Sequence, residues 1–285
     1  MKSIIAIILL TIATSVFAAT LIGGEADGRT VALAEAIGST QTGPMSIWSN
    51  PAGLLSTYSA SAFLGMHRGI GDVKGSHLAG SFRKEKWAFG MIARTAESSD
   101  LERRDLPTYA AQGTFGVRET NFGIGIANAI SSRLSAGYSA IYRYDRIEDD
   151  VATEWRHSLG MQMQWNPALR SGFAFQQLSL SSKSNDGVSI MRAGTEYRRS
   201  LPFGTELCGA ADLQWYNEKM RAGLGVEWTL LHVLSLRCGY RFGFDSQGLT
   251  YGVGAKWKSF SFDMGVTPFE NDLGSSTKIS IRIDG

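Results

Sequence analysis

Residues 49–54, Ser49-Asn50-Pro51-Ala52-Gly53-Leu54, separate an apolar segment from a long run of alternating residues. The ring of Pro51 removes a backbone donor and biases Asn50 away from helix, so a helix cannot continue through this point. Gly53 permits a tight or left-handed turn. Upstream, Pro44 suits the first turn of a short helix that reaches Trp48. The sequence therefore predicts a short helical plug and a sharp turn into the first strand. The candidate plug and turn residues are Trp48, Asn50, Pro51, Ala52 and Gly53.

Downstream of this turn, apolar residues recur at every second position up to the C-terminus, which is the period of a β-strand. Residues 134–145 and 155–165 show the alternation most clearly. The pattern predicts about fourteen strands of about ten residues, and hence an all-β, transmembrane, antiparallel up-and-down β-barrel. Residues 95–116 and 146–153 are predicted as loops at the outer end, and 84–86 as one of the tight periplasmic turns.

Tryptophan placement favours a membrane wall, because tryptophan prefers the interfacial girdles of a barrel. None falls in the middle of a predicted strand. The strand tryptophans are Trp87, Trp165, Trp228 and Trp257 at periplasmic ends, and Trp155 and Trp215 at outer ends. A soluble secreted β-protein, such as an adhesin, stays an alternative, but it would bury tryptophans near strand centres.

The N-terminus has the features of an export signal. Lys2 precedes an apolar run from Ile4 to Ile12, and Val16-Phe17-Ala18 offers a small-residue cleavage site. This predicts a cleaved signal peptide over 1–18, a plug over 19–55 and a barrel over 56–285. The predicted location is the outer membrane, with outer-membrane lipid as a partner.

Composition and motifs argue against several functions. The formal net charge is +2, which gives no reason to expect nucleic-acid binding. The four histidines have no metal-ligand spacing, and no catalytic or phosphate-binding motif is present. Cys208 and Cys238 are predicted to face opposite sides of the wall and not to pair. We therefore predict no enzyme activity, no metal and no cofactor.

Many charged residues fall on the inward phase of the strands, where charge costs little compared with the lipid face. They suggest either a polar passage that grips the plug or, as we favour, paired charges that stiffen the wall. Leu236 and Val253 are predicted to face lipid, and Gly239 the lumen, where Gly239→Ser should be mild. The candidate lumen charges are Arg143, Arg156, Arg192, Glu196, Asp212, Arg221, Glu227, Arg237, Arg241, Lys256 and Asp263.

Two sequence segments resemble the PorV/PorQ family of outer-membrane proteins, in the FadL-like barrel superfamily. Gly-Arg-Thr-Val-Ala-Leu-Ala-Glu-Ala from Gly28 and Ile-Trp-Ser-Asn-Pro-Ala-Gly-Leu from Ile47 resemble its N-terminal signature. Residues 262–280 resemble its last hairpin, although the chain ends on Gly285 rather than on an aromatic residue.

This resemblance implies that the protein is a component of a type IX protein secretion system or of a surface-attachment apparatus. In that role it would bind a secreted or surface-attached protein. The alternative that the superfamily implies is a FadL-like transporter of a small hydrophobic molecule, with the plug as a gate. Such uptake would need a greasy groove at the outer loops. Because the predicted outer loops are short and polar, the sequence favours the first reading.

Overall fold

Fourteen strands form one closed antiparallel sheet in the computed structural model, which describes residues 27–55, 59–103, 111–179, 189–216, 219–271 and 273–285. The predicted signal peptide lies outside these residues. The strands are β1 Ala60–Arg68, β2 Lys74–Lys84, β3 Trp87–Arg103, β4 Gly113–Ala129, β5 Leu134–Ile147, β6 Asp150–Gln164, β7 Leu169–Ser179, β8 Ile190–Leu201, β9 Thr205–Tyr216, β10 Lys219–Leu230, β11 Leu234–Phe242, β12 Leu249–Trp257, β13 Phe260–Pro268 and β14 Ser275–Asp284.

Every strand pairs with its neighbours in the sequence, and β1 closes the ring by pairing with β14. Ser61 lies opposite Asp284 at one end of that seam, and Arg68 lies opposite Thr277 at the other. Closure leaves no sheet edge, so the strands of the wall satisfy one another's backbone groups, as a membrane-spanning sheet requires. The predicted fold class, a fourteen-stranded up-and-down barrel with a short N-terminal plug, is confirmed.

The two faces of the wall differ as the alternation predicts. Along β11, Leu236 and Cys238 are exposed on the outside, whereas Arg237 and Gly239 are buried on the inside. All six strand-associated tryptophans lie exposed on the outer face. The outside of the barrel is therefore an apolar belt of the kind that faces lipid. Among the described residues, no helix is long and apolar enough to cross a membrane.

The two ends of the barrel are unequal. One end holds both the C-terminus and short turns such as 85–86 and 258–259, and we call it the periplasmic end, following the usual asymmetry of these barrels. At the other, outer end, β3 and β4 form a long hairpin, and β5 turns into β6 at residues 148–149. The loop prediction is therefore wrong for 95–103, 113–116 and most of 146–153, and residues 104–110 lie outside the described residues.

The physical reason is that the outer face of these strand ends is charged. Glu97 pairs with Arg118 across β3 and β4 at 2.7 Å, and Arg103 pairs with Glu148 at 2.6 Å. Beyond the apolar belt a strand no longer needs an apolar outer face, so a charged sequence there is compatible with strand. The alternation of apolar and polar residues disappears, but the strands continue.

The N-terminal segment lies inside the barrel. It comprises α1 Gly28–Ala32, α2 Ser46–Ser49 and a 3₁₀ helix over Pro51–Leu55. Leu33, Ile37 and Ile47 are at most 1% exposed, so the wall and the segment bury one another's apolar surface. We call residues 27–55 the plug.

Of the two turns predicted for Gly53, the structure has the tight one, in which the Gly53 N–H donates to the Asn50 carbonyl oxygen at 2.9 Å, and not the left-handed one. Gly53 is absent from the glycines with positive φ, whereas Gly43 has a φ of +82°. A side chain at Gly53 would place its Cβ 2.0 Å from the Gln41 carbonyl oxygen. Gly53 is therefore required for close approach within the plug, and Gly43 supplies the left-handed turn.

The phase of β7 slips near its outer end. The register between β6 and β7 shifts between His157 and Leu159, and Gln177 has a φ of +56°. This bulge keeps Gln176 pointing inward, where its amide donates to the Ser49 carbonyl of the plug.

Candidate functional site

Glycine residues of the inner wall form much of its contact with the plug. Five inward-facing glycine pairs lie directly opposite each other on neighbouring strands: Gly90 with Gly125, Gly137 with Gly160, Gly172 with Gly194, Gly225 with Gly239, and Gly252 with Gly265. At each pair, a Cβ added to either member would come within about 3 Å of another atom, and plug atoms are among the closest at every pair. We call this lining the glycine sleeve. It lets the plug backbone approach the wall more closely than any side chain would allow.

The sleeve overturns one expectation about the lumen. A Cβ at Gly239 would lie 2.7 Å from the Leu33 carbonyl carbon and 2.8 Å from the Ala34 Cβ. Gly239→Ser therefore collides with the plug and should not be mild. The prediction for Gly239 assumed room for a small side chain on the lumen face, whereas at this depth the plug fills the lumen.

Asn50 joins the plug to the seam between two strands. It is fully buried, and its Nδ2 donates to the carbonyl oxygens of Ser39 at 2.7 Å and Met161 at 3.0 Å. Its Oδ1 accepts from the backbone N–H of Ala52 at 3.2 Å, which shapes the turn that follows. Gly160 makes room, because a Cβ there would lie 1.9 Å from that Oδ1.

Pro51 and Trp48 contact the neighbouring part of the wall, at β5 and β3. Pro51 packs on Gly137, whose added Cβ would lie 2.4 Å from the Pro51 carbonyl carbon. The guanidinium of Arg94 lies 3.8 Å from the ring centre of Trp48, a cation–π contact. Arg94 Nε also donates to His77 Nδ1 at 3.2 Å. The plug is thus held on several sides of the wall.

A first cluster of charges holds the start of the plug near the periplasmic end. Arg29 Nε and Nη2 donate to the two oxygens of Glu227 at 2.8 and 3.0 Å, a bidentate pair. Glu227 also accepts from Arg237, and Arg237 reaches Asp263 at 2.7 Å. Glu196 lies 3.9 Å from Arg29. Four of the predicted lumen charges therefore surround one plug arginine.

A second cluster surrounds Glu35, in the middle of the plug. Arg241, Arg192 and Gln214 approach its carboxylate at 3.3, 3.5 and 3.3 Å. Arg192 Nε also donates to Asp212 at 2.8 Å. Burial alone would raise the pKa of the Glu35 carboxyl, but Arg241 and Arg192 lower that pKa from 4.5 to about 2.

The four remaining predicted lumen charges have three different kinds of surroundings. Arg143 pairs with Asp145 at 2.7 Å, and Arg156 pairs with Glu154 at 2.9 Å, on the outer part of β5 and β6. Lys256 is exposed at the periplasmic mouth and joins neither cluster. Arg221 stacks on the rings of Tyr216 and Phe244, and no acid pairs with it among the residues that the structure describes. That these lumen charges have a functional role stays a prediction.

Sequence reasoning missed the plug's own charges, Arg29 and Glu35, and the wall residues Arg94 and Glu119. A signal for the first two existed, because a charge inside an otherwise apolar segment must find a partner when buried. Arg94 and Glu119 were missed because the predicted strands stopped short of the outer hairpin.

Apolar side chains of β3, β4 and β5 form one buried cluster that extends from the outer hairpin to the plug, and the buried charges Arg94, Glu119 and Arg143 lie between its two ends. Val117 on β4, Ile92 on β3 and Ile141 on β5 belong to one buried cluster with Ile47 and Leu54 of the plug. Partly buried side chains extend this cluster toward the outer end: Leu101, Phe115 and Ile147. On the opposite side of the ring, β8 to β11 carry Arg192, Gln214, Arg221 and Arg241. The apolar cluster therefore lies on the β3 to β5 side of the lumen, and the cluster around Glu35 lies on the β8 to β11 side.

The fold and the filled lumen define a plugged barrel of the outer-membrane type. Solved structures with this fold include the CymD monoaromatic hydrocarbon channel, with a TM-score of 0.64 and 12% identity over 89% of this chain and 97% of that chain. The Pseudomonas putida toluene transporter TodX gives 0.64 and 11% over 89% and 98%. A Pseudomonas aeruginosa FadL homologue gives 0.61 and 11% over 92% and 98%.

At these identities the likeness concerns the fold. No protein-family model matches the chain, and no curated protein matches it. The PorV/PorQ resemblance is therefore not confirmed, whereas the wider similarity to FadL-like barrels is supported by the structures above.

Proposed function

We propose that this chain is an outer-membrane channel for a small hydrophobic molecule and that the plug is its gate. The observation that carries the proposal is the apolar cluster that extends from Phe115 and Val117 near the outer mouth to Ile47 and Leu54 of the plug. A hydrophobic molecule that leaves water gains free energy where it contacts these side chains. Similar folds described as hydrocarbon channels and toluene transporters support the same reading.

The structure also removes the argument against this function. The sequence favoured secretion because the outer loops looked short and polar. In the protein, residues 95–103 and 113–116 are strand, and their inward positions Leu101 and Phe115 pack on the apolar cluster. The apolar surface that such a channel needs is therefore formed by the β3–β4 hairpin and not by a loop.

Uptake measurements test the proposal with two substitutions on neighbouring residues of β4. Phe115 faces the lumen and Thr114 faces outward, so Phe115→Asp places a charge on the apolar surface and Thr114→Asp does not. We expect Gram-negative cells that express the chain to take up labelled toluene faster than cells without it. Phe115→Asp should lower this gain roughly tenfold, as a charge on an apolar binding surface does, and Thr114→Asp should leave it unchanged. Equal uptake with and without the chain would refute the proposal.

Protein secretion or surface attachment ranks second, and it rests on the PorV/PorQ-like segments at the two ends of the chain. If deleting the gene removed proteins from the cell surface and left hydrocarbon uptake intact, secretion would replace transport as the function. We expect outer-membrane lipid to surround the barrel under either function, because both functions require the apolar belt.

A further inference from the structure

A crevice of about 390 Å³ lies on the outside of the barrel, where β2, β3 and β4 reach the periplasmic end. It is lined by Trp87, Phe89 and Ile126 and, at the end of the β2–β3 hairpin, by the charged residues Lys84 and Glu85. Its volume is within the range of sites that hold small ligands. Because Trp87 is one of the tryptophans of the periplasmic interface, the crevice lies at the depth where phospholipid headgroups meet their acyl chains.

The apolar lining of this crevice belongs to the lipid-facing side of the wall. Phe89 lies opposite Phe82 of β2 and Ile126 of β4, and its ring stacks on that of Phe82 with 5.3 Å between ring centres. Trp87 and Phe89 remain 48% and 37% exposed, so the wall itself does not cover them. A lipid tail that lies in this indentation fills it by van der Waals contact.

The two charges at the rim are available to a headgroup. Lys84 and Glu85 are exposed, and no ion pair joins either side chain to another residue that the structure describes. The neighbouring Arg83 is engaged elsewhere, because its guanidinium donates to the carbonyl oxygens of Leu55 and Glu85 at 2.9 and 3.1 Å. The rim therefore offers one ammonium and one carboxylate on consecutive residues.

We propose that this crevice binds one phosphatidylethanolamine molecule of the periplasmic leaflet, which is the phospholipid leaflet of an outer membrane. Its phosphate contacts the Lys84 ammonium, its own ammonium donates to the Glu85 carboxylate, and one acyl chain lies along the apolar lining. A headgroup with one anionic and one cationic group matches a rim with one charge of each sign. Phosphatidylcholine has the same two charges but no N–H donor, and phosphatidylglycerol has no cation for Glu85. The site lies outside the lumen, so it is independent of the proposed channel function.

Native mass spectrometry of the detergent-purified full chain tests the site with phosphatidylethanolamine, phosphatidylcholine and phosphatidylglycerol, all with dioleoyl chains. We expect wild type to bind one phosphatidylethanolamine roughly threefold to tenfold more tightly than either other lipid, the value of one charge-assisted hydrogen bond at a partly exposed site. Glu85→Gln should bring phosphatidylethanolamine to the affinity of phosphatidylcholine. Lys84→Gln should weaken the binding of all three lipids roughly fivefold. Ile126→Trp places an indole in the crevice and should remove the tight binding.

Two variants are the matched controls. Lys258→Gln removes an exposed lysine of another periplasmic turn, whose ammonium lies over the Trp257 ring, and should leave all three affinities unchanged. Ile124→Trp enlarges an outward side chain of β4 that does not line the crevice, and it should bind lipid as wild type does.

Three results would overturn the assignment: equal binding of the three lipids by wild type, tighter binding of phosphatidylglycerol, or equal losses in Lys84→Gln and Lys258→Gln. The wild-type comparison of lipids needs no variant, so poor folding of a variant leaves the test intact. Hydrocarbon uptake is measured separately, so failure of the lipid site leaves the channel proposal standing.

Discussion

Gly172→Ala is the substitution that tests most directly whether the glycine sleeve holds the plug. A Cβ at this position would lie 1.9 Å from the Ser39 carbonyl oxygen, against 3.4–4 Å for ordinary contact, so the plug must retreat by about 1.5 Å. That oxygen accepts from Asn50 Nδ2 at 2.7 Å and from Gln162 Nε2 at 3.2 Å. We expect both hydrogen bonds to break, at about 1 kcal/mol each, in addition to about 1–3 kcal/mol of overpacking.

Planar-bilayer conductance and thermal unfolding of the refolded protein measure the two consequences. Gly172→Ala should lower the free energy of unfolding by roughly 3–5 kcal/mol and raise the frequency of conductance steps, because a displaced plug leaves a path for ions. Gly209→Ala on β9 is the control, since nothing lies within 4 Å of a Cβ at Gly209. If the two variants behave alike, the plug does not press on the wall at this point, and the reasoning from the sleeve is refuted.

Three further predictions follow from burial and charge. Val253→Arg puts a charge on the lipid face and should cost roughly 2–4 kcal/mol of folding free energy in refolding titrations. If no folding free energy is lost, Val253 does not face lipid. Glu227→Leu leaves Arg29 and Arg237 buried without their shared acid and should cost roughly 3–5 kcal/mol, which unfolding midpoints would reveal or contradict. Because the pKa of Glu35 is lowered, its contribution, roughly 3 kcal/mol, is complete above pH 4.5 and is lost as the pH falls to about 2. The difference in Tm between wild type and Glu35→Gln should therefore shrink over that window, and a constant difference would contradict the assignment.

The fold could be predicted from the sequence because a membrane wall imposes one constraint on every strand. Lipid on one side and lumen on the other force a period of two, and residues such as Leu236 and Arg237 report it at each step. The same constraint explains the failure at 95–103 and 113–116. Past the membrane the outer face of a strand meets water, so Glu97 and Arg118 can form an outer-face ion pair there, and the alternation of apolar and polar residues is lost.

The filling of the lumen could not be predicted in this way. Alternation shows that Gly239 and Arg192 point inward, but the sequence does not say what each one meets. In the structure Gly239 contacts the plug backbone and Arg192 contacts Glu35 and Asp212. Pairing of inward glycines across neighbouring strands, such as Gly225 with Gly239, depends on register, which single strands do not reveal.

The two halves of the plug are held by different forces, and this decides which half can act as the proposed gate. The first half contains Arg29 and Glu35, each bonded to buried wall charges. Breaking such pairs in a low-dielectric lumen costs several kcal/mol each, whereas a small ligand can shift an equilibrium only by its difference in affinity for the two states. The second half, 44–55, is held by apolar contacts, by neutral hydrogen bonds such as that from Asn50 Nδ2 to the Met161 carbonyl oxygen, and by the cation–π contact of Trp48 with Arg94, but by no ion pair among the described residues. Movement that admits a small hydrophobic molecule is therefore expected in the second half.

Two engineered disulfides, made after replacement of Cys208 and Cys238, test which half of the plug moves. Ile47→Cys with Gly125→Cys locks the second half, since a Cβ at Gly125 lies 3.0 Å from Ile47 Cγ1. Leu33→Cys with Gly225→Cys locks the first half, since a Cβ at Gly225 lies 2.9 Å from Leu33 Cβ. We expect the first lock to abolish hydrocarbon uptake until a reductant is added and the second lock to leave uptake intact. The opposite pattern would place the moving element in the ion-paired half, and the argument from buried charge would then be wrong.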